Sequence, residues 1–265
     1  MIDYLRLEGA ALKLHEKFRT AAPFPHIVID GLFEEDVARR VAEAFPPLNP
    51  SSRIDSYRSH RHYHSKKYSI QEPTRFPPVI REAIEGLQSP RFLACLERVT
   101  GITGLLADPQ LVGAGMHVTG RGGFLDVHAD FNVHPVAKHQ RILNLLVYFN
   151  LDWQASWRGE LEFWSADMRS SVQRVAPLFN RALLFEVSDI SFHGYPDPLR
   201  CPEDRQRNSL QLYYYREWPA STEPRQLYTT DYRPRPRDYA KRFRHALTRA
   251  IGPRGRGFLR RLVGR

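Results

Sequence analysis

The chain has 265 residues, 42% hydrophobic and 26% charged, ordinary proportions for a globular protein long enough to bury a sizeable core. No apolar run approaches the ~18 residues of a membrane span, the N-terminus shows no signal-peptide core, and two cysteines, Cys95 and Cys201, exclude a disulfide framework or a thiolate metal cluster; a cytoplasmic setting is the expectation. The net charge of +10 is concentrated in residues 233–265, which carry twelve Arg or Lys against one Asp, so the basicity belongs to a tail and speaks against a body built to grip nucleic acid.

In chain order, residues 2–20 read as an amphipathic helix with Leu5, Leu12 and Phe18 among charged positions. HIVID (26–30) is a short β-branched run closed by Gly31, and EEDVARRVAEAF (34–45) opens with acids and repeats its apolar residues at helical spacing until Pro46 and Pro47 stop it. Residues 48–77 show no sustained period and read as a polar, aromatic loop. Two further helices are expected at 78–88 and 90–100, the second ending near Gly101. From residue 110 the character changes: ILNLLVYFN, GELEFW, RALLFEV and NSLQLYYY are rich in strand formers and separated by Gly, Asn, Asp or Pro. Consecutive strands without helical segments between them predict an antiparallel sandwich or barrel. After Trp218 the chain is rich in Pro and Arg, and an amphipathic helix is expected over 238–251, where Phe243, Leu247 and Ile251 recur at helical spacing.

The chemistry centres on FLDVHADFNVHP (124–135). A His-x-Asp pair is common by chance, but in a strand residues i and i+2 project to one face, so His128 and Asp130 would aim an imidazole and a carboxylate at one place. Two protein ligands hold a metal poorly; His193, in SDISFHGYPDP, is the natural third. Two His and one carboxylate on one face form the set used by non-haem Fe(II) oxygenases, with positions left open. Arg207, at the start of the next strand, can fork onto a carboxylate, and Ser209 on the same face can add a hydroxyl. The order His-x-Asp, His, Arg-x-Ser is far more specific than any part.

These residues resemble the 2-oxoglutarate- and Fe(II)-dependent oxygenases, in particular the prolyl-4-hydroxylase-like branch, over about residues 110–216. HAD matches the family's His-x-Asp; RILNLLVYFNLDW is similar to the following strand and turn of hypoxia-sensing prolyl hydroxylases; GELEFW resembles a Gly-Gly-x-Leu strand with Glu160 for the second Gly; RNSLQLYYY matches the oxoglutarate-binding Arg strand. The resemblance implies a mainly β, α+β fold, a double-stranded β-helix (jelly roll) over 106–218. A helical support region at 1–105 would belong to the same globular unit, and a basic extension would run over 219–265. It implies His128, Asp130 and His193 as iron ligands and Arg207 as the partner of the oxoglutarate C5 carboxylate, with Tyr148 beside it and Ser209 in an Arg-x-Ser version. Asn144 and Gln211 share strand faces with Tyr148 and Arg207, and line the pocket or serve structure on equal terms. The cofactors implied are Fe(II), 2-oxoglutarate and O2, with ascorbate an expected stimulant, and the products are succinate, CO2 and a hydroxylated substrate. Asp130 favours hydroxylation, since an Ala or Gly there would leave room for a halide. The interval from His193 to Arg207 is longer than in prolyl hydroxylases, so PLRCPED is expected to loop out, and Arg205 is the weaker rival of Arg207.

The expected substrate is an amino acid, a peptidyl residue or another small metabolite, with an anionic one favoured if residues 48–77 form a lid whose Arg53, Arg58, Arg61 and Lys66 face inward; a solvated loop is nearly as good a reading. HRHYH (60–64) reads as a solvated or substrate-facing loop rather than a second metal site. His134 either faces substrate or has no role, and His117 has no evident partner. The alternatives are a nucleobase demethylase of the same superfamily and a non-catalytic jelly-roll binding module. The basic tail is open to disorder, membrane-surface contact or nucleic-acid contact.

Overall fold

The computed structural model describes residues 1–48, 64–218 and 227–238. Its helices are α1 (Tyr4–Gly9), α2 (Ala11–Thr20), α3 (Glu35–Glu43), α4 (Pro78–Leu87) and α5 (Pro90–Thr100). The strands are β1 (His26–Asp30), β2 (His64–Ile70), β3 (Gly115–Ala129), β4 (Gln140–Tyr148), β5 (Leu161–Trp164), β6 (Ser171–Val175), β7 (Arg181–Glu186), β8 (His193–Tyr195), β9 (Gln206–Arg216) and β10 (Asp231–Tyr232). None of the described helices is long and apolar enough to cross a membrane.

The strands pair antiparallel in the order β1-β7-β4-β9-β3-β8-β5-β6, with β2 and β10 also on β3. The register divides this path in two. The first half of β3, residues 115–120, lies between β9 and β2, and β2 follows it past the register shift to Phe124 and Leu125, whereas the last residues of β3, from Leu125 to Ala129, pair with β8 and β10. One long strand therefore serves two sheets, β1-β7-β4-β9-β3-β2 and β10-β3-β8-β5-β6, which form a nearly closed jelly roll. Alternation along the strands explains the packing. Met116 and Val118, Leu143, Leu145 and Val147, Ala182 and Leu184, Leu210, Leu212 and Tyr214 join the helices in the larger core. The intervening Leu146, Tyr148, Leu183 and Phe185 turn into the barrel with Phe163 and Tyr195. With both faces covered, β4 and β7 read as continuous apolar runs rather than alternating ones.

Several expectations are revised. The helix over 2–20 is two helices that meet at Ala10, at φ −96° and ψ −2°. Leu7, Ala11 and Phe18 carry the buried side, while Leu5 and Leu12 are exposed. Residues 48–77 are not all loop: 64–70 form β2. The PLRCPED segment does not loop out, because Leu199 and Cys201 are buried against Trp153 and Leu199 exchanges backbone hydrogen bonds with Gly122 and Gly123 at 2.9 Å. The 219–265 extension contributes β10. The helix expected over 238–251 lies outside the described residues except for Asp238.

Helix ends follow local chemistry. Pro78 and Pro90 occupy first-turn positions, the Ser89 hydroxyl accepts from the Phe92 amide, and Gly101 closes α5 in the left-handed region at φ 76°. The helical layer is tied to β7 through Asn180, itself left-handed at φ 55°. Its Oδ1 accepts from the Phe33 amide at 3.0 Å and its Nδ2 donates to the Phe33 carbonyl at 2.7 Å. Asn180→Ala strands two buried backbone groups and puts a Cβ-bearing residue without a local polar partner in the left-handed region; it should lower stability by about 2–4 kcal/mol, read as a reduced urea midpoint at unchanged slope. A shift under about 0.5 kcal/mol would contradict this account.

Candidate metal and cosubstrate site

His128 lies near the end of β3, Asp130 follows that strand, and His193 opens β8, paired with His128 in register. One ligand atom from each of the three lies within 4.8 Å of the others. The two histidines are set alike. His128 Nδ1 is 2.9 Å from the Asp126 carbonyl and His193 Nδ1 is 2.9 Å from the Ser191 carbonyl. A carbonyl only accepts, so each Nδ1 carries a proton and each Nε2 is the ring nitrogen turned toward the site. Those Nε2 atoms face Asp130, at 3.5 Å from Oδ1 and Oδ2 respectively. Burial, with His128 beside it, brings His193 down to about 3 against the opposing pull of Asp130, so its imidazole is neutral, the form that ligates a metal.

Asp130 is held by more than the imidazoles. Its Oδ2 accepts from Arg141 Nη2 at 3.0 Å and from Asn144 Nδ2 at 2.8 Å, and Asn144 Oδ1 in turn accepts from Arg141 Nη2 at 2.7 Å. Burial alone would raise the carboxyl, but Arg141 above all holds it well below the usual carboxylate range. An ionised carboxylate with one oxygen fixed from behind, facing two imidazole Nε2 atoms, fits a divalent iron and its preference for nitrogen and oxygen donors. Asn144, expected at the cosubstrate, borders the cavity but commits its amide to Asp130 and Arg141. Arg141 itself escaped the sequence reading; its place one residue into a strand, among apolar residues, was the available signal.

The opposite part of the barrel holds Arg207 on β9. It is buried, donates from Nε to the Gly159 carbonyl at 2.9 Å and from Nη2 to the Tyr148 hydroxyl at 3.1 Å, and stacks on the rings of Tyr148 and Tyr195. Gly159 is required there: a Cβ would lie 2.7 Å from Leu199 and 3.3 Å from the Arg207 side chain, at a φ of +88°. Burial raises the Tyr148 phenol in spite of Arg207, so the hydroxyl keeps its proton, accepts from Arg207 and has its own O–H free to donate. Ser209 is buried beside Tyr148 in register and takes a hydrogen bond from Gln211 Nε2 at 3.3 Å. Arg205 is exposed in the turn before β9, so of these two arginines only Arg207 is buried.

The cavity between triad and arginine is bordered by Lys67, Ser69, Gln71, His117, Gln211 and Tyr232. Lys67 was missed. Lys66 is left-handed at φ 47° and sits at a bulge in the β2–β3 register, which leaves it exposed and turns Lys67 inward. Burial brings Lys67 down to about 8, with Asp130 opposing and Arg207 and Arg141 adding to the fall. His117 borders the cavity; neither ring nitrogen meets a partner at hydrogen-bonding geometry, and burial and then Lys67 hold it well below its usual range although the Gly113 and Ala114 carbonyls favour the proton. His134 does not face the cavity: it is buried, its Nδ1 accepts from the Val136 and Ala137 amides, and its Nε2 lies 3.4 Å from Asp108. Arg53, Arg58, Arg61, His60 and His62 lie outside the described residues.

The sequence profile of the 2OG-Fe(II) oxygenase superfamily matches residues 114–215, the segment that carries the triad and Arg207. This segment belongs to the 2OG-Fe(II) oxygenases. Its cofactors are accordingly Fe(II) and 2-oxoglutarate, and the chain is an enzyme rather than a non-catalytic jelly roll. Comparison with curated proteins returns no match. Solved structures share the fold at low identity. A prolyl-4-hydroxylase of Pseudomonas putida is 14% identical with a TM-score of 0.52, over 77% of this chain and 100% of that one. A Trichoplax adhaerens prolyl hydroxylase in complex with a hypoxia inducible factor peptide is 17% identical with a TM-score of 0.53, over 80% and 92%. A prolyl 4-hydroxylase of Phytophthora capsici is 21% identical with a TM-score of 0.55, over 92% and 74%.

The residue after His193 offers a test of how this oxygenase positions its ligands. A methyl group on Gly194 would lie 2.8 Å from the Leu125 carbonyl oxygen and 2.9 Å from the Asp126 carbonyl, so β8 must move away from β3. Gly194→Ala should leave the fold melting cooperatively but weaken Fe(II) binding by roughly tenfold to a hundredfold, measured by anaerobic titration. Wild-type iron affinity would show that the close approach of β8 does not set the site.

Proposed function

We propose that this oxygenase is a hydroxylase of the prolyl-4-hydroxylase-like branch, acting on a C–H bond of an amino acid, a peptidyl residue or another small metabolite. The observation that carries the reading is the presence in one barrel of His128 and His193, both buried, with the partly buried Asp130 between them and, across the cavity, a buried arginine without a carboxylate partner among the described residues. Iron with 2-oxoglutarate supplies the oxidant, consuming O2 and releasing succinate and CO2. His128, Asp130 and His193 would hold the metal. Arg207 would receive the C5 carboxylate, with the Tyr148 O–H donating to the same group. The Thr119–Tyr195 hydrogen bond, 2.9 Å long, keeps the Tyr195 ring against the guanidinium. Leu125, Leu146 and Leu161 border the cavity between these groups and exclude water from the carboxylate–guanidinium contact, which strengthens it. The Trichoplax neighbour binds a peptide, which supports keeping peptidyl substrates in the range.

The test is succinate formation from 2-oxoglutarate by the iron-loaded protein. His193→Ala should abolish it together with most Fe(II) binding. Arg207→Leu should keep the iron and raise the 2-oxoglutarate requirement by about 2–5 kcal/mol, thirtyfold or more, the usual loss when one member of a buried charge pair is removed. Arg205→Leu should behave as wild type. Iron-dependent turnover that survives His193→Ala would overturn the metal assignment, and a larger effect from Arg205→Leu would overturn the cosubstrate assignment.

A further inference from the structure

The proposed use of the cavity leaves one cation without a task. Among the described residues two positive side chains line it, Lys67 and Arg141, with Arg207 packed behind Tyr195, which also lines it, against one carboxylate, Asp130. Arg141 is paired with Asp130 at 3.0 Å, and Arg207 is matched to the C5 carboxylate. Lys67 borders the cavity, is partly buried, and has no carboxylate partner among the described residues. The register fixes its place: Lys67 lies opposite Thr119 on β3, and Thr119 opposite Arg207 on β9, so the two cations occupy one row of the wall, two strand spacings or about 10 Å apart at the backbone. In the next row stands His117, opposite Ser69 and Ser209, buried and facing the same cavity, where neither nitrogen meets a partner at hydrogen-bonding geometry although the Gly113 and Ala114 carbonyls lie near its ring. An unneutralised ammonium and an unsatisfied imidazole side by side in a cavity wall are costly unless something fills them.

Charge counting says what that is. Iron with Asp130 and a doubly charged 2-oxoglutarate sums to −1; Arg207 cancels it, and Arg141 and Lys67 leave an excess of two positive charges. We propose that Lys67 and His117 form a subsite for an acidic group, a carboxylate or a phosphate, on the substrate that is hydroxylated. The ammonium supplies the charge, and the His117 N–H donates to the same anion. The subsite rests on the cosubstrate reading above, because it is defined as the cationic place that 2-oxoglutarate does not occupy. It also specifies the substrate: an acidic group held at the β2 wall fixes which of its carbons reaches the triad.

The experiment titrates methyl phosphate and, separately, propionate into the full chain loaded with Fe(II) and saturating 2-oxoglutarate without O2, by calorimetry. Wild type should bind at least one of the two saturably, and the stronger one names the acid class. Lys67→Met should weaken that binding at least tenfold while 2-oxoglutarate affinity stays within twofold; Lys67→Arg should retain it; His117→Leu should weaken it severalfold. Arg207→Leu should show the opposite pattern. Anion binding unchanged in Lys67→Met, or no binding of either probe by wild type, overturns the subsite. Loss of 2-oxoglutarate affinity in Lys67→Met equal to that in Arg207→Leu also overturns it, by making Lys67 a cosubstrate residue. A parallel titration of metal-free Arg207→Leu protein separates the two proposals: probe binding that still requires Lys67 there upholds the subsite even if iron and 2-oxoglutarate fail to bind wild type.

Discussion

Everything in the site depends on one strand being shared by two sheets. β3 leaves the helix-backed sheet after Gly120 and enters the other at Leu125, and the turn between them is possible only because the chain there is Gly-Arg-Gly-Gly. A Cβ on Gly123 would sit 2.4 Å from the Thr119 side chain and 2.8 Å from the Gly120 carbonyl, and Gly122 is left-handed at φ +77°. The corner puts His117 and Thr119 on one wall and His128 on the other. The cavity is the space that this crossing opens, and the separation of a cationic wall from a metal-binding wall follows from it.

Within that frame the buried Arg141–Asp130 pair is an interaction of position rather than of stability. Removing two charges from water costs several kcal/mol per ion, and their attraction recovers this only with good geometry and further hydrogen bonds. Here the further contacts exist. Asn144 bonds to both partners, and the guanidinium stacks on Tyr213 with 3.4 Å to the ring centroid and on Phe131 with 4.6 Å. Such a network has few alternative arrangements, so it fixes the direction in which Asp130 points. The same argument explains why Asn144 serves the carboxylate ligand: its amide is the only described side-chain group that bridges Arg141 and Asp130.

What the sequence disclosed, and what it did not, follows from where the information lies. That His128, Asp130 and His193 come together was legible because i and i+2 share a face and the order of His, Asp and His along consecutive strands is itself specific; the buried place of Arg207 followed from its position at the start of an apolar strand. The fold class was legible from the strand-forming runs after residue 110. Hidden were features set by pairing partners far away in the chain. β2 has a polar, irregular sequence, HSKKYSI, and is a strand because β3 offers an open edge. Within it, periodicity could not say which of Lys66 and Lys67 turns inward, since a bulge inverts the alternation. β8 is three residues long, too short for any pattern. Leu5 and Leu12, two of the apolar residues of the first helical segment, are exposed, because Leu7, Ala11 and Phe18 at i, i+4 and i+11 define the buried face and helical spacing puts Leu5 and Leu12 on the other side.

The segment 227–238 carries the same lesson into the site. By composition it begins a basic, Pro-rich tail, yet Tyr232 pairs with His128 in register and its ring lies 5.2 Å from the imidazole. What pins it is charge used locally. Arg235, almost fully buried, donates to Asp197 at 2.9 Å and to Asp238 at 2.9 and 3.1 Å, and Arg237 also reaches Asp197. At the other end the Tyr228 amide donates to Asn132 Oδ1 at 2.9 Å. With both ends anchored outside the cavity, the Thr230–Tyr232 stretch between them is held as a fixed wall over His128. The net charge that looked like a property of the tail is therefore, at Arg235 and Arg237, part of the machinery that closes the metal site.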